Sequence, residues 1–307
     1  VYGRRIADPP IYQSIASRTS QTGVYLQDQI KAGGWNLLLG GRRDWAQSKS
    51  RNRLTGATQS QQDQAFTGRA GLLYLFDNGL APYVSYAESF EPTSGSDYSG
   101  NAFVPTTGQQ YEAGVKFQPS GWNSFVTVSL FNLTQQNVTT TDPAHAGFSV
   151  QTGEIRSRGV EIEGKASLAQ GLDVLAAVTY LDAEVTKSNG TDRGKPPTAV
   201  PTRQASQRAN YTFQDGALRG LGLGAGVRYV GATWGDSTNT FKVPSYTLAD
   251  AAAQYDLSVL SAKLEGVKLA VTASNLFDKT FVGSCIRLTS CYYGEGRVVI
   301  GSLKYQW

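Results

Sequence analysis

From Gln21 onward, apolar and polar residues alternate along most of the chain with a period of two. Between residues 65 and 76, for example, Phe66, Ala70 and Leu72 fall on one side of the alternation. A period of two is the spacing of side chains on one face of a β-strand. The pattern therefore predicts strands throughout, and it recurs often enough to give about 13 of them.

The predicted connections alternate between short turns and long polar loops. Gly33-Gly34 and Asp77-Asn78-Gly79 are typical short turns, whereas residues 92–107 and 188–203 form long loops. Such sorting is expected when one rim of a membrane β-barrel carries turns and the other carries loops. The predicted fold is therefore an all-β, transmembrane, antiparallel up-and-down barrel. A soluble sandwich is the alternative, although it has no reason to sort its connections in this way.

The last strand places Val299, Leu303, Tyr305 and Trp307 on one face and ends on an aromatic residue, as closing strands of membrane barrels commonly do. Counting back from a periplasmic carboxyl terminus puts the long loops outside. Residues 1–20 are then expected to be an extracellular loop, and residues 21–307 the strands and their connections. Because a membrane barrel must close, an odd number of strands predicts that further strands complete it.

Composition and charge argue against membrane-spanning helices and against nucleic-acid binding. The chain has 307 residues, 34 glycines and no methionine, and it contains no apolar run of the roughly 18 to 20 residues that a membrane helix needs. Its formal net charge is +4, and the basic residues are scattered rather than gathered in a stripe. Nucleic acid is therefore not an expected partner.

The chain has two cysteines, Cys285 and Cys291, and both lie between the last two predicted strands. Their short separation suits a small disulfide in an oxidising compartment, with two unconnected thiols as the alternative. His145 is the only histidine, so neither a protein-bound metal nor a nucleophile with its base is expected.

Several segments in order along the chain resemble the carboxyl-terminal barrel of TonB-dependent outer-membrane receptors. These segments are GVYLQDQ (23–29), LGGR (39–42), PYVSYAESF (82–90), QYEAGVK (110–116), RGVEIE (158–163) and NLFD (275–278). The loop that ends in Cys291-Tyr292-Tyr293-Gly294 is similar to that of ferric hydroxamate siderophore receptors of the ferrichrome and ferrioxamine type.

The resemblance implies a barrel of about 22 strands, of which this chain would supply roughly the last 13. It also implies an amino-terminal plug domain that occludes the lumen of the barrel. It implies an outer-membrane receptor that binds a ferric siderophore outside and imports it with energy supplied by TonB. Such a protein is not an enzyme and needs no cofactor. The implied partners are the siderophore, the TonB complex, the receptor's own plug domain, and a phage or bacteriocin that uses the loops. The basic residues Arg4, Arg5, Lys49, Arg51 and Arg53 are expected in outer loops, where they would meet the phosphates of lipopolysaccharide; simple solvation is the alternative.

A bulky iron chelate suits an aromatic-lined pocket with a few polar anchors, so the ligand-binding candidates are residues expected in the outer loops or at their rim. They are Tyr292, Tyr293, Ile286, His145, Trp234, Phe103, Tyr98 and Phe90. For each of them the alternative is loop packing, a place in the interfacial girdle or simple solvation. None is expected to bind iron directly, because a chelated ferric ion arrives with its coordination filled.

Charged residues on the opposite side of the alternation are expected to line the barrel wall and to contact a plug. They are Glu112, Glu161, Glu163, Arg69, Lys116, Lys165 and Arg228. Two alternatives for function stay open. One is a receptor for a catecholate siderophore, haem or cobalamin, of which the anionic catecholates would require clustered Arg and Lys. The other is a passive porin.

Overall fold

In the computed structural model, the described residues are Ile11, residues 14–145 and residues 147–306. They form 17 strands. The strands are β1 (Ile15–Ala32), β2 (Trp35–Asn52), β3 (Thr58–Tyr74), β4 (Leu80–Glu91), β5 (Thr106–Phe117), β6 (Phe125–Thr141), β7 (Ser149–Ala169), β8 (Leu172–Lys187), β9 (Arg203–Thr212), β10 (Leu221–Val230), β11 (Thr233–Trp234), β12 (Lys242–Val243), β13 (Tyr246–Asp256), β14 (Val267–Ser274), β15 (Val282–Arg287), β16 (Ser290–Tyr293) and β17 (Val298–Tyr305).

Thirteen strands make one antiparallel sheet in the order β1 to β10, β13, β14, β17, so that each strand pairs with its neighbour along the chain. The predicted number of strands is confirmed. Two short hairpins, β11–β12 and β15–β16, lie outside this sheet. Three single turns of 3-10 helix, Gly216–Leu218, Leu257–Val259 and Ala262–Leu264, complete the secondary structure.

Cross-strand register separates two faces of the sheet. Val128 is opposite Ile162, which is opposite Val178, and all three are well exposed. We call their side the apolar face. Thr127 is opposite Glu163, which is opposite Ala177, and this side is the polar face. Exposed aliphatic side chains along a whole face fit a sheet whose apolar face meets lipid rather than a protein core.

The charged residues predicted to share one face do so. Cross-strand pairing connects Arg69 to Ala87 in β4, and Ala87 to the face of β5 that carries Glu112 and Lys116. The same face continues across the following strands, where it carries Glu161, Glu163, Lys165 and Arg228. All of them lie on the polar face. Tyr83 on the same face donates a hydrogen bond to Glu112 Oε1 at 2.5 Å.

The connections lie alternately at two rims of the sheet, which we name after the predicted short turns and long loops. The short-turn rim holds residues 33–34, 75–79, 118–124, 170–171, 213–220 and 257–266. The long-loop rim holds residues 53–57, 92–105, 142–148, 188–202, 231–245 and 275–297. At the tightest turn Gly33 has a φ of +58°, a conformation that glycine adopts without steric cost.

The prediction of a single loop over residues 1–20 differs from the structure, because β1 begins at Ile15. Residues 1–10 and 12–13, which share that prediction, lie outside the described residues. The polar stretch after Gln47 was also expected to be a loop, but β2 continues to Asn52 and carries Lys49 and Arg51. Arg18 pairs with Lys49 and Lys49 with Ser60, so strand hydrogen bonding continues where both faces are polar.

Among the described residues, no helix is long and apolar enough to cross a membrane.

Candidate ligand-binding site at the long-loop rim

The structure places seven of the eight predicted ligand-binding residues in connections of the long-loop rim. Tyr98 and Phe103 lie in the 92–105 connection, His145 in the 142–148 connection, Trp234 in β11, Ile286 in β15, and Tyr292 and Tyr293 in β16. The eighth, Phe90, is the next-to-last residue of β4. Alternation along β4 puts Phe90 with Val84 on the apolar face, which is the position of an interfacial aromatic.

Tyr98 and His145 form an aromatic stack between two connections. Their ring centroids are 3.6 Å apart with the planes at 7°, and Phe148 meets Tyr98 edge-on with centroids 5.1 Å apart. His145 Nδ1 lies 2.9 Å from Asp142 Oδ2, and the Ala144 amide donates to Asp142 Oδ1 at 2.8 Å. The hydrogen bonds from His145 and Ala144 hold the pKa of the Asp142 carboxyl below its ordinary value.

Side chains of β3, β6 and β7 fasten the 92–105 connection to the sheet. Gln61 Nε2 donates to the Phe103 carbonyl at 2.6 Å, and Asn137 Nδ2 donates to the Pro105 carbonyl at 3.0 Å. Gln151 both accepts from the Val104 amide and donates to the Val104 carbonyl, each at 2.6 Å. These bonds satisfy loop backbone groups and therefore restrict where Tyr98 and Phe103 can lie.

Trp234 belongs to a second group, built on the β11–β12 hairpin. Lys242 Nζ lies 4.7 Å from the centroid of the Trp234 ring, and the Ala199 amide donates to the Trp234 carbonyl at 3.0 Å. Asp236 closes the hairpin by accepting hydrogen bonds from the Thr240 amide and from the hydroxyls of Thr238 and Thr240. The Thr240 hydroxyl is the main cause of a lowered Asp236 pKa.

Cys285 and Cys291 form a disulfide across the β15–β16 pair, as predicted. We call this unit the cysteine hairpin. Tyr292 and Tyr293 are 59% and 77% exposed, and Ile286 is 52% exposed, so all three are available for contact. Because they are consecutive strand residues, Tyr292 and Tyr293 point to opposite sides of the hairpin. β12 packs against β15, so the cysteine hairpin lies beside Trp234.

The two groups occupy different arcs of the rim. Tyr98, Phe103 and His145 lie above β4 to β7, whereas Trp234 and the cysteine hairpin lie above β8 to β17. The structure therefore brings Trp234, Ile286, Tyr292 and Tyr293 into one neighbourhood and Tyr98, Phe103 and His145 into another.

Sequence reasoning missed the residues that hold the cysteine hairpin in place. Asn275 is 3% exposed, and its side chain donates to the carbonyls of Lys279 and Glu295. Phe281 packs against Tyr246 with the ring centroids 4.2 Å apart and the planes tilted by 36°. In the sequence the NLFD segment that begins at Asn275 carries the family resemblance, but no local pattern in it indicates that Asn275 holds the loop.

The exposed side chains of this rim are suited to noncovalent contacts. No group of three or more His, Cys, Asp or Glu side chains that could hold a metal ion occurs among the described residues. Exposed aromatic and aliphatic side chains on a disulfide-bonded hairpin, next to a tryptophan with a cation on its face, suit a bulky ligand that already carries its own metal.

Comparison with known proteins shows what the chain is similar to. The family model described as "TonB dependent receptor-like, beta-barrel" matches residues 2–276. The chain is 46% identical over 293 residues to the "Ferrichrome outer membrane transporter/phage receptor" of Escherichia coli strain K12, covering 95% of this chain and 39% of that protein. It is 39% identical over 309 residues to the "Ferrioxamine B receptor" of Salmonella typhimurium strain LT2, covering 99% and 43%.

Among solved structures, the siderophore receptor PiuA from Acinetobacter baumannii superposes with a TM-score of 0.76 at 25% identity. The superposition covers 95% of this chain and 44% of that structure. The chain thus spans about two-fifths of the length of the curated relatives that it matches.

Proposed function

Because this chain belongs to the TonB-dependent receptor family and forms part of its β-barrel, we propose that it is the carboxyl-terminal part of an outer-membrane receptor for a ferric siderophore. In this proposal the apolar face meets lipid, the polar face lines the lumen, and the long-loop rim faces outward. The siderophore binds at that rim. A plug and TonB, outside this chain, then drive it inward.

One observation carries the proposal. The cysteine hairpin presents Ile286, Tyr292 and Tyr293 exposed at the long-loop rim, next to Trp234. This surface offers apolar and aromatic area with hydroxyl groups, which suits a neutral, bulky chelate. Ferric hydroxamates have this character. The two curated relatives reported above are a ferrichrome transporter and a ferrioxamine B receptor, which supports the same ligand class.

The charges beside this surface favour a hydroxamate over a catecholate. Lys242 lies over the Trp234 ring, and Lys195 Nζ donates to the Thr238 carbonyl at 2.9 Å. Lys242 is thus engaged within the 231–245 connection, and Lys195 is engaged in a bond from the 188–202 connection to the 231–245 connection. An anionic catecholate would need cations pointed at the ligand.

A binding titration tests the proposal. The complete receptor containing this chain, solubilised in detergent, is titrated with ferrichrome, ferrioxamine, a ferric catecholate and cobalamin while tryptophan fluorescence is followed. Saturable binding of a hydroxamate is expected, and Tyr292→Ala or Tyr293→Ala should weaken it about tenfold, as the loss of an anchoring aromatic does. Tyr211→Ala, on the apolar face near the short-turn rim, is the matched control.

The alternatives predict different results. Binding of the catecholate or of cobalamin alone would keep the receptor and reject the hydroxamate. Binding of none of the four, together with passage of small solutes through the reconstituted protein, would favour a passive porin.

A second partner follows from the register of β2. Arg43, Lys49 and Arg51 share the face of Leu37 and Leu39, and they lie toward the long-loop rim. Cations that face outward at this height would meet the phosphates of lipopolysaccharide in the outer leaflet. We include lipopolysaccharide as a partner of the barrel on this ground.

A further inference from the structure

An ion pair on the polar face is bonded to the base of the loop that carries the cysteine hairpin. Arg228 in β10 donates to Asp250 in β13 through Nε, at 2.7 Å to Oδ2, and through a terminal nitrogen, at 3.0 Å to Oδ1. The backbone amide of Asn275 donates to the same Asp250 Oδ1 at 3.0 Å. Asp250 therefore joins the wall of the sheet to the first residue of the 275–297 connection.

The side chain of Asn275 is hydrogen-bonded near both ends of the 275–297 connection. Its Nδ2 donates to the carbonyl of Lys279 at 2.9 Å and to the carbonyl of Glu295 at 3.1 Å, while its Oδ1 accepts from the Lys279 amide at 2.9 Å. Its φ is +50°, a left-handed conformation that asparagine tolerates better than most residues. The Asn275 amide thus holds together the chain entering the loop and the chain leaving it.

A second layer of contacts closes the loop above Asn275. Asp278 Oδ1 accepts from the Arg297 amide at 2.7 Å. The ring of Phe281 lies against Tyr246, and the Gly294 amide donates to the Phe281 carbonyl at 2.9 Å. A Cβ at position 294 would lie 1.9 Å from the Phe281 ring, so only glycine fits there. The orientation of the cysteine hairpin therefore follows from the orientation of its base.

This connection to a loop distinguishes Arg228–Asp250 from a similar pair. Arg158 and Asp182 also bridge adjacent strands, at 3.0 Å, but they lie on the apolar side of the alternation near the rim. Among the ion pairs between strand residues that the structure describes, Arg228–Asp250 is the one whose carboxylate also accepts from a long-loop connection.

We propose that Arg228 and Asp250 are positioning residues for siderophore capture. Their ion pair sets the position of the cysteine hairpin through Asn275, and neither residue touches the ligand. Removal of the Asp250 carboxylate leaves the Arg228 guanidinium and the Asn275 amide without their shared acceptor. The loop base then keeps the bond from the Leu276 amide to the Ala249 carbonyl, at 2.7 Å, but loses its bond to the ion pair. The effect on binding rests on the proposed function, whereas the effect on the loop does not.

Limited proteolysis reports on the loop itself, because Lys279, Arg287 and Arg297 are trypsin sites within or at the ends of the loop. In the complete receptor in detergent, Asp250→Ala should raise the rate of tryptic cleavage in residues 275–297 at least about tenfold, as expected for loss of hydrogen bonds to a charged group. Arg228→Ala should act in the same direction, and Arg228→Lys should restore part of the protection. Arg158→Ala is the matched control and should cleave like the parent.

Ligand affinity is the second readout. Asp250→Ala should weaken ferrichrome binding by a factor similar to its effect on cleavage, with Arg158→Ala unchanged. Asn275→Ala keeps the ion pair but removes the side-chain clamp, and it should reproduce both effects. Retention of heat-modifiable migration on a denaturing gel shows that each variant still forms its barrel; if Asp250→Ala does not, Asn275→Ala and Arg228→Ala carry the test.

The outcomes separate the two proposals. Cleavage of Asp250→Ala and Asn275→Ala at the parental rate would overturn the positioning role. Loss of binding without faster cleavage would also overturn it, because Asp250 would then act on the ligand directly. If the parent receptor binds no hydroxamate, the proposed function fails, while the cleavage rates still decide whether the ion pair holds the loop.

Discussion

The phenol ring of Tyr98 lies flat on the imidazole of His145, with the ring centroids 3.6 Å apart and the planes at 7°. The two residues belong to different connections, 92–105 and 142–148, which are separated in the sheet by β5 and β6. The stack therefore fastens one outer connection to another. Since 92–105 is also bonded to Gln61 and Gln151, this arc of the rim forms one unit.

Replacement of Tyr98 by Ala should loosen the 92–105 connection without unfolding the barrel. Aromatic pairs contribute about 0.5–1.5 kcal/mol beyond the area that they bury. Hydrogen exchange of amides in residues 92–105, measured for Tyr98→Ala, His145→Ala and the double variant, gives the coupling between the rings. Tyr98→Phe keeps the ring and is the control. Additive effects of the two alanine substitutions would show that the stack does not hold the loops together.

Acid should release the 142–148 connection through Asp142. The bonds from His145 and Ala144 lower the pKa of the Asp142 carboxyl, so they stabilise the loop above the ordinary aspartate pKa of about 3.9. That stabilisation is lost as the pH falls below this value and through the folded-state pKa. Hydrogen exchange of residues 141–149, corrected for the intrinsic rate, should rise below about pH 4.

Asp142→Asn provides the control for this prediction, because an amide does not titrate. Its exchange in residues 141–149 should change little over the same acid range. An increase for the parent between pH 7 and pH 5 would assign the effect to another group, and an equal acid response of Asp142→Asn would exclude Asp142 as its source.

The sheet could be predicted from the sequence because the membrane imposes its pattern. In the proposed orientation Val128 and Ile162 face lipid while Thr127 and Glu163 face the lumen, and this requirement produces the alternation along the strands. Beyond the bilayer this constraint ends. Ser48 and Lys49 extend β2 with polar side chains on both faces, and alternation does not mark such residues as strand.

The candidate site was predictable as residue types but not as an arrangement. Aromatic residues in long loops pointed to the rim, and the spacing of Cys285 and Cys291 pointed to their disulfide. The grouping of Trp234 with the cysteine hairpin depends on how two connections pack. The buried position of Asn275 depends on bonds to residues 20 and 25 positions away, which no local pattern encodes.

Loss of the disulfide should affect the cysteine hairpin and leave the barrel unchanged. The bond closes a loop with a sequence separation of 6, for which chain entropy gives about 2 kcal/mol. Both cysteines lie in the same connection, so this stabilisation stays local. Cys285→Ser/Cys291→Ser should speed tryptic cleavage after Arg287 and weaken siderophore binding, with the barrel's unfolding midpoint unchanged. A lowered midpoint would show that the hairpin supports the sheet as well.

The assignment of the apolar face to lipid can be tested at two adjacent residues of β8. Val178 is on the apolar face and 49% exposed, whereas Thr179 is on the polar face opposite Glu161. An arginine that faces lipid near the bilayer midplane costs about 2–4 kcal/mol, while the lumen tolerates charge. Val178→Arg should therefore destabilise the receptor by that amount and Thr179→Arg by much less, measured by denaturant unfolding in lipid vesicles. Equal costs, or a larger cost at Thr179, would reverse the assignment of the two faces and with it the luminal position of Arg228 and Asp250.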